Sequence, residues 1–376
     1  MKLKPKIAIA DHFAQMTDPR VERSQRHKLI DIITIAICAV ICGADTWVDI
    51  ASYGRAKIEW LKKFLELPNG IPSHDTFARV FARLNPEEFQ QSFLNWMRSI
   101  SKLFQEEVIA IDGKTVRHSY DSSLDKGAIH MVSAWASANR LVLGQVKVNQ
   151  KSNEITAIPE LLKVLSLNGC IVTIDAMGCQ KEIVKQIRER GGDYVITLKK
   201  NQGGLYQRVE ALFKEALKQR YQGFIFSSHR VSQQEHSRQE TRYCMMLSDI
   251  TEQIAPEGKW EDLQSIGRLD SMRVVKGKAT IETRYFISSL PNNAKLLADS
   301  IRQHWGIENS LHWVLDVAFR EDESRIRKDN APQNFAILRH IATNLLQQDK
   351  SEKTGIKNKR LQAGWNNEYL AKVLFG

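Results

Sequence analysis

Two aspartates in this sequence stand directly after short apolar runs. Val108-Ile109-Ala110-Ile111 leads into Asp112-Gly113, and Ile171-Val172-Thr173-Ile174 leads into Asp175. Runs of β-branched and small residues closed by turn residues predict buried strands. A carboxylate at the C-terminal end of such a strand faces the crevice in which open α/β sheets bind ligands. Two of them suggest a metal site. Hard divalent cations such as Mg²⁺ take carboxylate oxygens and keep positions open for water and phosphate. Two such ions side by side activate a nucleophile and stabilise a leaving oxygen in phosphoryl displacement.

A third ligand belongs on a helix packed against the sheet. Glu308 fits best, because it lies among Trp305, Ile307, Leu311 and Trp313, a setting in which an acid is unusual without a task. A solvated surface helix is the plain alternative. Asp316, Glu321, Asp322 and Glu154 compete for the role, whereas Asp193 sits at the N-terminal end of its strand, the wrong end for this crevice. No HExxH, P-loop, GxGxxG or GxSxG motif stands in a supporting context, which leaves little room for a nucleophilic-serine hydrolase.

The elements that must hold these acids follow from the rest of the chain. At 376 residues it can bury a full core across two or three domains. Its net charge of +11 favours a polyanionic partner as much as it fits an ordinary basic enzyme. Five cysteines without a CxxC pair read as reduced thiols in an intracellular, cytoplasmic protein. The N-terminus lacks a signal-peptide core, and Leu29–Ala44, interrupted by Asp31, reads as a buried helix rather than a membrane span.

Residues 1–103 read as an all-helical N-terminal domain. Helices are expected over Leu29–Cys42, Thr46–Leu65, a segment capped by Ser73 and another opened by Asn85-Pro86. Arg79 and Arg83 fall opposite Phe77, Val80 and Phe81, so this helix is either a helix-turn-helix DNA reader or a bundle helix with a basic face. From 104 to 350 the pattern turns α/β. Strands are expected at Asp112, at Ala128–Ala138 and at Leu141–Val148, a helix at Glu160–Leu167, then the Asp175 strand, a helix at Gln180–Arg190 and a strand at Asp193–Leu198. That chain order, with aspartates ending the first and fourth strands, is the order of a ribonuclease-H-like mixed sheet. Residues 221–290 read as a β-rich insertion before the last acid. A long helix through Glu308 follows, then another over Ala331–Gln347. Residues 351–376 read as a basic tail with a terminal helix over Asn367–Phe375.

Taken together, IDGKTVR, TIDAMGCQ, DYVITLKKNQ and HWGIENSLHWVLDVAFRED resemble the DDE transposases of bacterial insertion sequences, above all the H-repeat-associated transposases. GIPSHDTFARVF is similar to the helical region that precedes the catalytic domain in that group. The resemblance implies an endonuclease and strand-transfer enzyme in which Asp112, Asp175 and Glu308 bind two Mg²⁺ ions, with Mn²⁺ as a substitute. It implies double-stranded DNA partners, the terminal inverted repeats and a target, no membrane, and a homodimer or larger assembly on DNA. Many such enzymes carry Tyr, Arg and Lys at set places around the last acid; here those places hold Ile301, His304 and Leu315. Arg302 is the nearest substitute for the arginine. Lys114, Arg117, Lys199, Asn201, Gln202 and His304 are the further candidates for DNA contact, beside Arg79 and Arg83.

Overall fold

The computed structural model describes residues 9–100, 105–120, 127–148, 153–235, 238–256, 258, 260–275 and 278–375. The fold is a mixed α/β structure built on one large sheet. The N-terminal part holds helices α1 (Ile9–Phe13), α2 (Leu29–Ile41), α3 (Trp47–Ala56), α4 (Ile58–Leu61), α5 (His74–Arg83) and α6 (Pro86–Ile100). The helix expected over Thr46–Leu65 is broken at Lys57 into α3 and α4. Thr46 and Asp49 form a reciprocal capping box at the start of α3, and the Ser73 hydroxyl accepts from the Thr76 amide at the start of α5. Every residue of α2 from Asp31 to Ile41 is buried. No described helix is long and apolar enough to cross a membrane.

Strands β1 (Val108–Thr115), β2 (His130–Ala136) and β3 (Leu141–Val148) form an antiparallel meander. Then come α7 (Glu154–Val164), β4 (Ile171–Ile174), α8 (Lys181–Glu189), β5 (Asp193–Leu198) and α9 (Gly203–Lys218). The expected order of strands and helices is observed. β1, β4 and β5 run parallel, and the sheet order begins β3-β2-β1-β4-β5. Two details differ from the sequence reading. β1 does not stop at Asp112: it runs on to Thr115 against β2, while its pairing with β4 ends at Ile111 opposite Ile174. Asp112 is therefore a strand end on one side only. The helix after β3 begins at Glu154 rather than Glu160, because Asn153 caps it and Pro159 is accommodated inside. Glu154 is thus the first residue of the helix.

The β-rich segment comprises β6 (Ile225–Glu235), β7 (Arg238–Ser248), α10 (Thr251–Ile254), β8 (Ser265–Val275) and β9 (Lys278–Ser288). It adds to the same sheet: β9 pairs antiparallel with β5, and the order continues β9-β8-β7-β6. The near ends of β7, β8 and β9 are buried, edge strand β6 is not, and residues 278–283 of β9 are exposed.

After the sheet come α11 (Ala294–His304), a π-helical turn over Glu308–His312, and α12 (Trp313–Phe319). α13 (Ala331–Gln348) is buried almost all round and joins the two halves of the chain. Trp47 of α3 stacks on Phe81 at 5.1 Å and meets Phe335 of α13 edge-on at 5.0 Å. On its other side the Asn344 amide pairs with both backbone groups of Val142 on edge strand β3, at 2.9 Å each. Residues 351–376 form two helices, α14 (Ile356–Trp365) and α15 (Asn367–Phe375), packed on α13. The stretch expected as a basic tail holds two buried cations. Lys359 donates to the Leu346 carbonyl, and Arg360 donates to the carbonyls of Val40, Ala44 and Ala318 and to Asp45.

Arg360 thus satisfies the C-terminal carbonyls of α2 and α12 at once. Replacing it removes the side-chain donor from the Ala44 and Ala318 carbonyls and the ion-pair partner of half-buried Asp45. Arg360→Ala should lower stability by about 3 kcal/mol or more, read as a fall in the denaturant midpoint, whereas Lys357→Ala on the exposed side of α14 should leave it unchanged.

Candidate active site

Asp112, Asp175 and Glu308 line one cleft of about 540 Å³ at the C-terminal edge of the parallel strands. β1 and β4 supply the aspartates side by side. The π turn supplies Glu308 and, one turn on, His312. Ile307 and Leu311 are fully buried on either side of Glu308 and hold the turn against the sheet, so Glu308 itself stays exposed to the cleft. The Asp175 carboxylate accepts from the Met177 amide at 2.9 Å, which fixes its rotamer.

The cleft is electrostatically crowded. Burial pushes the Asp112 carboxyl up to about 7, and the charges of Glu154, Asp175 and Glu308 add to the rise. Asp175 is also raised, by burial and then by Glu154. His312 stands 3.6 Å from Asp112, beyond hydrogen-bond range, and burial followed by the Lys114 charge pushes it down to about 4, leaving it neutral. These carboxylates have every reason to take up a cation. The donor set is all oxygen, which fits a hard divalent ion. Among the described residues no three His, Cys, Asp or Glu side chains already converge on one point, so binding would draw the carboxylates inward.

The expected DNA-contact residues separate into two groups. Lys199 is exposed at the cleft, and Arg302 is exposed beside a second cavity of about 590 Å³. Arg79 and Arg83 are exposed on α5, and Arg117 is exposed with a 3.3 Å contact to Asp322. The others have internal partners. Lys114 was expected at a phosphate; instead its ammonium lies 2.7 Å from Asp316, 2.9 Å from Glu321 and 3.3 Å from Asp322. It faces α12 because it shares the side of β1 with Asp112. Glu321 is fully buried: burial raises its pKa, but Arg339 and Lys114 together hold it below the usual range. Asn201 and Gln202 donate to the carbonyls of Ala176 and Cys179, so they brace the loop behind Asp175. His304 is paired with the Thr173 hydroxyl at 3.0 Å and pushed down to about 4 by burial.

The second cavity adjoins the first. Glu282, Arg284, Ile301 and Trp305 line both, and Arg284 lies over the Trp305 ring at 4.9 Å. Beyond them Arg140, Arg242, Arg273 and Arg302 make this groove basic. Of these only Arg302 stands out in the sequence, because Arg140 lies in the β2–β3 turn and Arg242, Arg273 and Arg284 on three different strands, far apart along the chain.

Known proteins give this geometry a family. The sequence profile of the family described as Transposase DDE domain matches residues 103–345. The chain belongs to the DDE transposase family. The profile of a second family, described as DDE_Tnp_1-associated, matches residues 10–97. A protein of Escherichia coli (strain K12) with the provisional name H repeat-associated transposase YhhI is 42% identical over 374 residues, 98% of each chain. The similarly named transposase YncI of Escherichia coli O157:H7 is 43% identical over 371 residues, 98% of this chain and 94% of its own. Among solved structures, a piggyBac transposase synaptic complex with hairpin DNA covers all of this DDE transposase at only 12% identity and a TM-score of 0.39. The DDE transposase family is one of divalent-metal-dependent enzymes, in keeping with the crowded carboxylates.

Two outcomes check the site. Asp112 ionises later in the folded than in the unfolded chain, so its charge weakens the cation-free protein as pH rises from about 4 towards 7. Asp112→Asn should therefore raise stability by about 2–4 kcal/mol at pH 8, with the gain vanishing below about pH 4, in denaturation midpoints followed across pH without divalent ions. Lys114→Met should cost about 3 kcal/mol because three carboxylates lose their counter-charge. Its DNA binding should keep the same salt dependence, whereas loss of a phosphate contact would flatten it.

Proposed function

We propose that this DDE transposase cleaves DNA at the ends of an insertion element and transfers the freed 3′-hydroxyl into target DNA, on a ribonuclease-H-like core. The observation that carries this reading is the acidic cleft opening into a basic groove, with Arg284 and Trp305 at the junction. A cleft that concentrates negative charge holds cations, and an adjoining groove that concentrates positive charge holds a polyanion. One phosphodiester at the border would meet both.

In this mechanism Asp112, Asp175 and Glu308 hold the two Mg²⁺ or Mn²⁺ ions. Bound there, the ions supply Lewis-acid activation of water or of a 3′-hydroxyl, and stabilise the leaving oxygen. Asp112 and Asp175 are anchored on β1 and β4, so their spacing is set by the sheet. Glu308, carried on the π turn between buried Ile307 and Leu311, stands exposed in the cleft. Neutral His304 and His312 exclude water behind the carboxylates without adding charge. Lys199 and Arg302 neutralise backbone phosphates on either side of the scissile bond. Residues 1–103, through Arg79 and Arg83, contact the element ends, and two or more copies assemble on the paired inverted repeats. This assignment puts the working protein in the cytoplasm, on the nucleoid.

The test is direct. Purified protein with Mg²⁺ and DNA bearing the inverted repeats that flank its gene should produce nicked ends, and a pre-cut 3′-hydroxyl end should join to a plasmid. Asp112→Ala should reduce both products at least a thousandfold, on the order expected for loss of an essential metal ligand. Nicking without joining would make the protein a nuclease. Repeat binding with no metal-dependent product would make it a DNA-binding relative without catalysis, and activity surviving in Asp112→Ala would remove the site assignment.

A further inference from the structure

The row of polar residues that begins at Asp112 continues into the core. In the strand register Asp112 pairs with Ser133 and Ser133 pairs with Gln145, and paired residues share a face of the sheet. Leu315 of α12 and Ala336 of α13 close over this row. Ser133 is 3% exposed and Gln145 2%, at positions where a sheet core ordinarily takes apolar side chains. Neither side-chain polar atom of Gln145 has a hydrogen-bond partner among the described residues. The same holds for Nε2 of His312 and for Nδ1 of His340, itself 2% exposed. Buried polar groups of this kind are ordinarily paired, with protein or with an ordered water.

The three orphaned side chains have one place in common. Gln145, His312 and His340 all line a single small cavity of about 10 Å³, together with Lys114, Ser133 and Glu321. That volume takes one water molecule and nothing larger. The lining excludes ions of either sign, since Lys114 would repel a cation and Glu321 an anion. It offers a water the several polar partners that such a molecule needs.

We propose that this cavity binds one ordered water, which bridges His312 Nε2 to Gln145 and His340 and holds His312 in the tautomer whose Nδ1–H faces Asp112. Nδ1 is the nitrogen that lies 3.6 Å from Asp112 Oδ2. A carboxylate favours a proton on the nitrogen that faces it, so Nε2 of the neutral ring is left as an acceptor and the water donates to it. The Gln145 amide and His340 meet the rest of the water's bonds. His312 is then a positioning residue: fixed through Nε2, it presents an N–H dipole to Asp112, the kind of support that orients metal-ligating groups. The ring stands between cavity and cleft, so the single water behind it stays apart from the solvent that the ring keeps off the carboxylates. Only the benefit to Asp112 rests on the metal-site reading; the water and the tautomer stand without it.

The experiment is a long-range proton–nitrogen correlation spectrum of the full chain labelled with nitrogen-15 histidine, without metal or DNA. It is recorded at about pH 9, where Asp112 is ionised and the His312 ring neutral. The His312 signals are assigned by their loss in His312→Asn. The wild-type chain should show the proton on Nδ1 and a bare Nε2. Gln145→Leu, close in volume, removes one partner of the water and should shift the population towards the Nε2–H form; His340→Leu removes another and should do the same. Mn²⁺ affinity, read from the free-ion electron paramagnetic resonance signal, should fall about tenfold in Gln145→Leu, as outer-shell losses do. A proton on Nε2 in the wild-type chain, or a tautomer untouched by both substitutions, overturns the water bridge. A shifted tautomer with unchanged Mn²⁺ affinity overturns the positioning role of His312. A wild-type chain that binds no Mn²⁺ overturns the metal-site reading and that role with it, and the tautomer alone then decides the water site. If one of the two substitutions does not fold, the other decides by the same comparison.

Discussion

Mutual repulsion among carboxylates is the constraint around which this structure is arranged. Asp112, Asp175 and Glu308 share one cleft, and left to themselves such groups separate or take up protons. The backbone prevents the first. Asp112 and Asp175 extend from neighbouring parallel strands whose hydrogen bonds end one residue earlier. Burial makes the charge still less comfortable, and the raised Asp112 carboxyl is its signature. A second acidic group, Asp316, Glu321 and Asp322, sits on the same side of β1, but Lys114 occupies its centre. Two neighbouring clusters of like charge thus differ in one respect. One has its counter-ion at its centre, and the other has Lys199 exposed at the rim of the cleft. A single lysine, two residues along the strand from Asp112, makes the difference between the two clusters.

The π turn solves the remaining placement. An unbroken α-helix from Ala294 to Phe319 would run its apolar stripe along the sheet and carry Glu308 wherever the period dictated. The wider turn over Glu308–His312 shifts the phase locally. Ile307 and Leu311 stay buried, His312 turns inward towards Asp112, and Glu308 is left at the surface of the cleft. Trp305 and Trp313 remain partly exposed on either side.

Much of this was legible from residue order. The runs ending at Asp112 and Asp175 announce strands because β-branched residues stop abruptly at a turn-forming acid, and the five-strand order follows from their sequence along the chain. The β segment was visible as a set of alternating runs. Its partner was not: pairing of β9 with β5 is set by register, which the intervening residues do not encode. The role of Lys114 was misjudged for a similar reason. A basic residue beside a site acid looks like a phosphate ligand until the carboxylates from about two hundred positions later are folded against it. Pro159 hides the true start of α7, since a proline usually opens a helix rather than lying inside one, so the residues point to a start at Glu160 instead of Glu154. The buried fate of Lys359 and Arg360 was hidden in a stretch whose composition resembles a solvated tail.

The continuous sheet has a mechanical consequence. Nine strands joined edge to edge, from β3 through β5 and β9 to β6, leave no flexible joint between the strands that carry the aspartates and those that carry the groove arginines. Every neighbouring pair is stitched by backbone hydrogen bonds, and each stitch resists shear. A bound strand that touches both regions finds their relative angle already fixed. Adaptation then falls on the nucleic acid, whose bending and unstacking vary with base sequence. A duplex laid across such a frame would have to bend to fit it, and the cost of that bend varies with base sequence.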